Sequence, residues 1–267
     1  MDYRKVLEQL RPDGADWVAE VGEDWLQGRT VFGGMQVALA VRAMRALLPP
    51  DAPRLPLRSL QATFVGPMPA GVEVRLRASL LRSGKSVTHA RCDVVHEGAM
   101  ACTVVAIFGA ARRSSFALEI PRPVVSAEAD ALPDQPHAEG MSPAFTRHVQ
   151  LRWVEGQYPY TGYHEPRATM YARLRDGSCA PEDALVALGD VIPPPALSTL
   201  REPAPASSLN WTLELLGDPD TFDPRQWALI GAEVRAGADG YLSQTAILWG
   251  AAGHAFAVSH QTVAMFG

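Results

Sequence analysis

Ser59 to Gly109 reads SLQATFVGPMPAGVEVRLRASLLRSGKSVTHARCDVVHEGAMACTVVAIFG, and Ser208 to Gly267 reads SLNWTLELLGDPDTFDPRQWALIGAEVRAGADGYLSQTAILWGAAGHAFAVSHQTVAMFG. Both open on Ser-Leu, carry Arg-x-Gly where a turn is expected (Arg82 to Gly84 and Arg235 to Gly237), and close on Phe-Gly. Identity between them is low, but the order and the hydrophobic pattern agree, so two copies of one structural unit are expected. A unit that packs against its own copy leaves a cleft between the two. A side chain found in one copy alone is then a candidate for function rather than for fold.

Working outward from the first copy, Val72 to Ala78 alternates strictly between apolar and polar, as a strand with one wet face does. Ser83-Gly84-Lys85 supplies a turn, Thr88 to Val94 alternates again, and His96-Glu97-Gly98 leads into the apolar strand Ala99 to Phe108. Upstream, Met35 to Leu48 carries only Arg42 and Arg45 as charges, three apart on one side of a helix that is otherwise apolar or small. Such a helix is buried. Pro49-Pro50 is expected to end it.

In the second half, Val149 to Val154 and Thr169 to Leu174 read as strands, and a second helix is expected from about Pro181 to Ile192. Pro181 suits its first position, and Glu182 and Asp183 suit the positive end of its dipole. Between Ala110 and His148 periodicity lapses among five prolines, so a surface connector is predicted there. The expected organisation is a first unit over 1–112, a connector over 113–145 and a second unit over 146–267. A buried helix against a curved antiparallel sheet, used twice, is an α+β double hot-dog, although composition alone does not separate it from other α+β sandwiches.

The 267 residues suffice for two small domains, and a net charge of −5 gives nucleic acid or an anionic membrane nothing to bind. Three cysteines without CxxC spacing argue against a disulfide framework or a zinc site and suit a reducing cytoplasm. The start, MDYRKVLEQL, lacks the apolar core of a signal peptide, and no apolar run is long enough to cross a bilayer. Histidines show neither HxxxH nor HExxH spacing, so no metal and no cofactor are expected, and no G-x-S-x-G elbow is present.

Asp190 stands out among the residues that could carry chemistry. It sits in the apolar stretch Leu188 to Ile192, expected at the last turns of the second helix, where a carboxylate meets the unfavourable end of the dipole. The first helix contains no acid. Ser208 opens a strand, and Gln261 lies in the apolar closing strand, opposite Thr103 when the copies are anchored at Phe-Gly. A buried amide there needs partners for its hydrogen bonds.

WLQGRTVFGGMQVALAVRAM, RSGKSVTHARCDVVHEG and the trio Asp190, Ser208 and Gln261 together resemble the acyl-CoA thioesterase II family, the TesB-like double hot-dog enzymes. The resemblance implies hydrolysis of acyl-CoA to free acid and coenzyme A, with Asp190 as base and Ser208 and Gln261 holding the attacking water. It also implies backbone N–H groups at Gly33 or Gly34 for the oxyanion, and Arg82 and Lys85 near the coenzyme A phosphates. Asn210 and Trp211 stand where many relatives show Asp-His. Two alternatives stay open: an enoyl-CoA hydratase of the same fold, for which His260 is the nearest histidine, and a non-catalytic acyl-CoA binding protein. A homo-oligomer paired through open sheet edges is expected.

Overall fold

The computed structural model describes residues 1–49 and 54–266. Three helices, α1 (Tyr3–Glu8), α2 (Gly33–Arg45) and α3 (Pro181–Leu188), accompany fourteen strands. In the first half these are β1 (Arg11–Asp13), β2 (Asp16–Glu20), the short β3 (Leu26–Gln27) and β4 (Thr30–Val31), β5 (Leu57–Phe64), β6 (Glu73–Ser83), β7 (Val87–His96) and β8 (Ala99–Gly109). The second half contributes β9 (Val149–Glu155), β10 (Arg167–Leu174), β11 (Ala206–Leu215), β12 (Ala228–Ala238), β13 (Tyr241–Trp249) and β14 (Ala255–Met265). Twelve of them form one antiparallel sheet in the order β1-β2-β6-β7-β8-β5-β11-β14-β13-β12-β10-β9. The two meanders meet where β5 pairs with β11, and one face of the joint sheet packs on α2 and α3 as the expected double hot-dog.

Burial follows the sequence pattern. Every residue of α2 from Gly33 to Val41 is buried, and in β14 the odd-numbered residues from Ala257 to Val263 face the helices while His260 is exposed. Proline does not end α2: the helix stops at Arg45, four residues before Pro49, and Pro50 lies outside the described residues. The connector lies on the outer face of the second half, where Trp249 Nε1 donates to the Ile120 carbonyl at 3.1 Å.

Matching bulges relate the two halves. Between β5 and β8 the register slips at Arg58, from Leu57↔Phe108 to Ser59↔Ile107; between β11 and β14 it slips at Leu209, from Ser208↔Val263 to Asn210↔Thr262. A second pair of slips lies between Leu80 and Arg82 in β6 and between Val234 and Ala236 in β12. Aligned on these bulges, Ser208, Gln244 and Gln261 occupy the places of Leu57, Ala90 and Ala106.

Three sequence expectations change accordingly. Gln261 does not match Thr103, which points outward and donates to Asp93 at 2.6 Å. The Phe-Gly anchor misaligned the copies because Phe108 lies within β8, where its match in β14 is Val263, whereas Phe266 lies past the end of β14, and its Gly267 lies outside the described residues. Arg235 to Gly237 is inside β12, not at the turn, which falls at Asp239-Gly240 with both φ angles positive. Edge pairing as a route to an oligomer is also weakened: β1 is three residues long with a central proline, and the β9 edge is met by Gln135 N–H on the Leu151 carbonyl at 2.8 Å.

α2 and α3 lie side by side and antiparallel. At the end of α2 and the start of α3, Arg42 bonds Asp183 at 2.7 Å, and Arg45 makes a two-pronged contact with Glu182, which also accepts from Leu57 N–H at 3.0 Å. The acids that suited a helix dipole are therefore cross-links between the halves. Arg45→Met, which leaves the buried Glu182 carboxylate with only the Leu57 N–H and the more distant Arg54 at 3.7 Å, is expected to cost about 3 kcal/mol in urea unfolding. Lys5→Met, at the exposed pair with Asp2, is expected to change stability by less than about 1 kcal/mol.

Candidate active site

At the opposite end of the helix pair, α3 stops two residues before Asp190. Gly189 N–H bonds the Leu185 carbonyl at 2.9 Å, and Asp190 N–H reaches back to Ala187 at 3.2 Å, a tightened last turn. Asp190 is thus outside the helix predicted through Ile192, and its side chain projects across to the start of α2. A Cβ built on Gly33 would lie 2.6 Å from Asp190 Oδ2 and 3.0 Å from the Phe64 ring; one on Gly34 would strike Phe32 and approach the Ala187 carbonyl at 3.2 Å. The glycine pair is what lets the second half's carboxylate reach the first half's helix.

Gln261 Nε2 donates to Asp190 Oδ1 at 2.6 Å, and Gln244 Nε2 donates to Gln261 Oε1 at 2.8 Å. Two residues along β14, Ser259 Oγ donates to the Gly189 carbonyl at 3.2 Å and accepts from Trp211 Nε1 at 2.9 Å. Adjacent inward-facing side chains of one strand therefore grip Gly189 and Asp190 together. Burial pushes the Asp190 carboxyl up to about 7, against the hydrogen bonds from Gln261 and the Gly34 N–H that favour its ionised form.

Ser208 pairs with Val263, so it shares Gln261's face of the sheet one row further along. The Leu209 bulge puts Ser208 and Trp211 on the same face although they are three apart. The structure thus gathers Asp190, Gln261, Gly33 and Gly34, with Ser208 beside them. The Gly34 N–H helps to favour the ionised form of Asp190, and Gly33 is the other glycine donor at the start of α2.

Arg82 and Lys85 are not brought to this site. Ser83 aligns through Thr88 and Phe108 with Leu57, and Phe108 lies under the Arg45 guanidinium at 4.3 Å, so their hairpin sits at the far end of α2. Thirteen helical residues separate the two ends by about 20 Å. The matching hairpin at the Asp190 end, between β12 and β13, carries Arg235.

Gln244, Ser259 and Trp211 were missed from the sequence. An alternation count marks Gln244 as an inward polar residue, but only strand pairing shows that it meets Gln261. Among the described residues no group of three or more His, Cys, Asp or Glu could hold a metal ion, and no helix is long and apolar enough to cross a membrane. Cys92, Cys102 and Cys179 are free and buried.

Residues 21–109 match the acyl-CoA thioesterase N-terminal domain and residues 127–265 the acyl-CoA thioesterase C-terminal domain. Among curated proteins no sequence relative was found. Among solved structures, a conserved protein of unknown function with a hot dog fold from Alicyclobacillus acidocaldarius superposes with a TM-score of 0.87 at 22% identity, covering 99% of this chain and 98% of that one. An acyl-CoA thioesterase II from Mycobacterium marinum gives 0.79 at 17%, covering 99% and 98%. A dehydratase domain from Pseudomonas fluorescens gives 0.62 at 11%, covering all of both chains. These likenesses establish the hot-dog fold, and the two domain matches together span most of the sequence. The chain belongs to the acyl-CoA thioesterase family and is a thioester hydrolase.

Proposed function

We propose that this protein hydrolyses acyl-CoA to free acid and coenzyme A with a water held by Asp190, Gln261 and Ser208. The carrying observation is a desolvated carboxylate with no cation beside it, set against the N-terminus of α2 from the other half of the chain. Ionised Asp190 takes a proton as the water oxygen attacks the thioester carbonyl carbon. Gln261 and the Ser208 hydroxyl fix the line of approach. The oxyanion that forms is met by the Gly33 N–H and the positive end of α2. When the C–S bond breaks, the proton on Asp190 passes to the departing sulfur, and the carboxylate is restored.

The position of the histidines speaks against the hydratase reading. His260 lies on the outer face of the sheet, with Nδ1 3.3 Å from Thr245 Oγ1, and no histidine is hydrogen-bonded to Asp190. A binding protein without turnover is separated by the first experiment below. Three free, buried thiols fit a reducing compartment, and we place the protein in the cytoplasm. Arg235, exposed on the hairpin nearest Asp190 and ion-paired with Glu233, is a nearer cation for coenzyme A phosphates than Arg82 and Lys85.

A thiol-release assay across an acyl-CoA length series tests the reading. Asp190→Asn is expected to lower kcat by at least about 10²-fold. The wild-type rate should climb with pH through about 7 and then level, because the base works only when ionised. Unchanged turnover in the variant sinks the proposal, and acyl-CoA binding without thiol release in the wild type supports the binding protein instead.

Stability offers an independent check. Folding raises the Asp190 pKa from 3.8 to about 7, so the native chain keeps a proton that the unfolded chain has already lost, and stability falls as pH rises through that window. Asparagine escapes this. Between pH 5 and 7 the stability of Asp190→Asn relative to wild type should rise by about 1.4 kcal/mol per pH unit in urea unfolding. A difference that ignores pH means the carboxylate is not desolvated.

A further inference from the structure

We infer that Gln244 is a positioning residue of this site, selecting which end of the Gln261 amide faces Asp190. This rests on the hydrolytic reading above. Gln244 and Gln261 are 3% and 7% exposed, and within the chain the two amides bond each other in line with the carboxylate. The two ends of an amide have almost the same shape but opposite hydrogen-bonding character. An ionised Asp190 only accepts, so it requires Nε2 of Gln261, which turns Oε1 back toward β13. That arrangement holds only while the group on β13 donates, as Gln244 Nε2 does at 2.8 Å. With an acceptor there instead, Gln261 would reverse and present Oε1 to Asp190, a contact that requires the carboxyl to keep its proton.

The duplicated fold supplies the control. Positions matching Gln244 and Gln261 in the first half are Ala90 and Ala106, both fully buried, so the sheet closes without an amide pair. The pair occurs only in the half that carries Asp190. Gln244 Oε1 is moreover buried with no hydrogen-bond partner, a cost that alanine avoids at the matching site. Asp190 is faced by the Gly33 and Gly34 backbone of α2, Phe64 of β5 and Gln261 of β14, and by one titratable neighbour, Cys102 of β8. Burial pushes that thiol up to about 12, so it stays neutral across the working range.

The test uses the full chain with Gln244→Met, which removes the donor at similar volume, and Gln244→Glu, which replaces it with an acceptor. Thiol release from an acyl-CoA that the wild type hydrolyses is followed against pH, and the Asp190 carboxyl is titrated by ¹³C NMR without substrate, its signal assigned by its loss in Asp190→Asn. For Gln244→Met the rising limb and the carboxyl titration should both move up by about one pH unit, about a tenfold loss of kcat below the limb with KM little changed. Gln244→Glu should move both further. A loss of kcat with an unmoved limb would make Gln244 merely structural, and wild-type behaviour in both variants would overturn its role. If Gln244→Glu does not fold, Gln244→Met alone decides by the same two readouts. Should Asp190→Asn retain full turnover, the hydrolytic reading falls, and the substrate-free titration still judges the coupling between Gln244 and Asp190.

Discussion

Two short helices lying antiparallel in the trough of one sheet set the constraint on which the site depends. Because they run in opposite directions, the end of each faces the start of the other, and the fold creates two helix-to-helix junctions related by pseudo-twofold symmetry. Each junction brings a negative helix end near a positive one. The chain has furnished the two junctions in opposite ways.

At the junction of Arg42 and Arg45 with Asp183 and Glu182, charge meets countercharge. The guanidiniums offset part of what burial removes, and the result is a cross-link. At the other junction Asp190 has no cation. It is held by an amide, a backbone N–H and the dipole of a helix from the other half, all weaker than an ion pair in offsetting desolvation. The surrounding strand positions follow the same division, with Leu57, Ala90 and Ala106 at the first junction and Ser208, Gln244 and Gln261 at the second. One end of the molecule is built to hold and the other to react.

Much of this could be read from composition and period. Alternation in 72–78 and 88–94 located β6 and β7, the charge-poor run from Met35 located α2, and the singular acid Asp190 was legible because its surroundings are apolar. Other features depend on registers that sequence does not display. The end of α3 was placed too late because Gly189, at its C-cap, keeps helical dihedrals while packing against Trp211 and Leu213, and the apolar run continues through Val191 and Ile192 to Pro193. The Phe-Gly ends of the two copies do not correspond, Phe108 lying within β8 and Phe266 past β14, and only the matching bulges at Arg58 and Leu209 reveal the true counterpart of Gln261. Arg82 and Lys85 lie away from Asp190 for a related reason: a turn motif says that a hairpin exists, but strand order decides which end of the trough it serves.

The missing cation explains how so small a set of groups can activate water. An arginine partner pulls a carboxylate's pKa down from where burial alone would put it and makes it a weaker base, since the partner stabilises the charge that must be given up when the proton arrives. Neutral hydrogen bonds orient the carboxylate while leaving much of its desolvation uncompensated, and its affinity for a proton rises toward that of a base poised near neutral pH. The same imbalance lowers the stability of the fold at working pH, and the ion pairs at the opposite junction lie between the same two helices that this strain would separate. Reactivity at one end of the helix pair and cross-linking at the other are thus two parts of a single electrostatic arrangement.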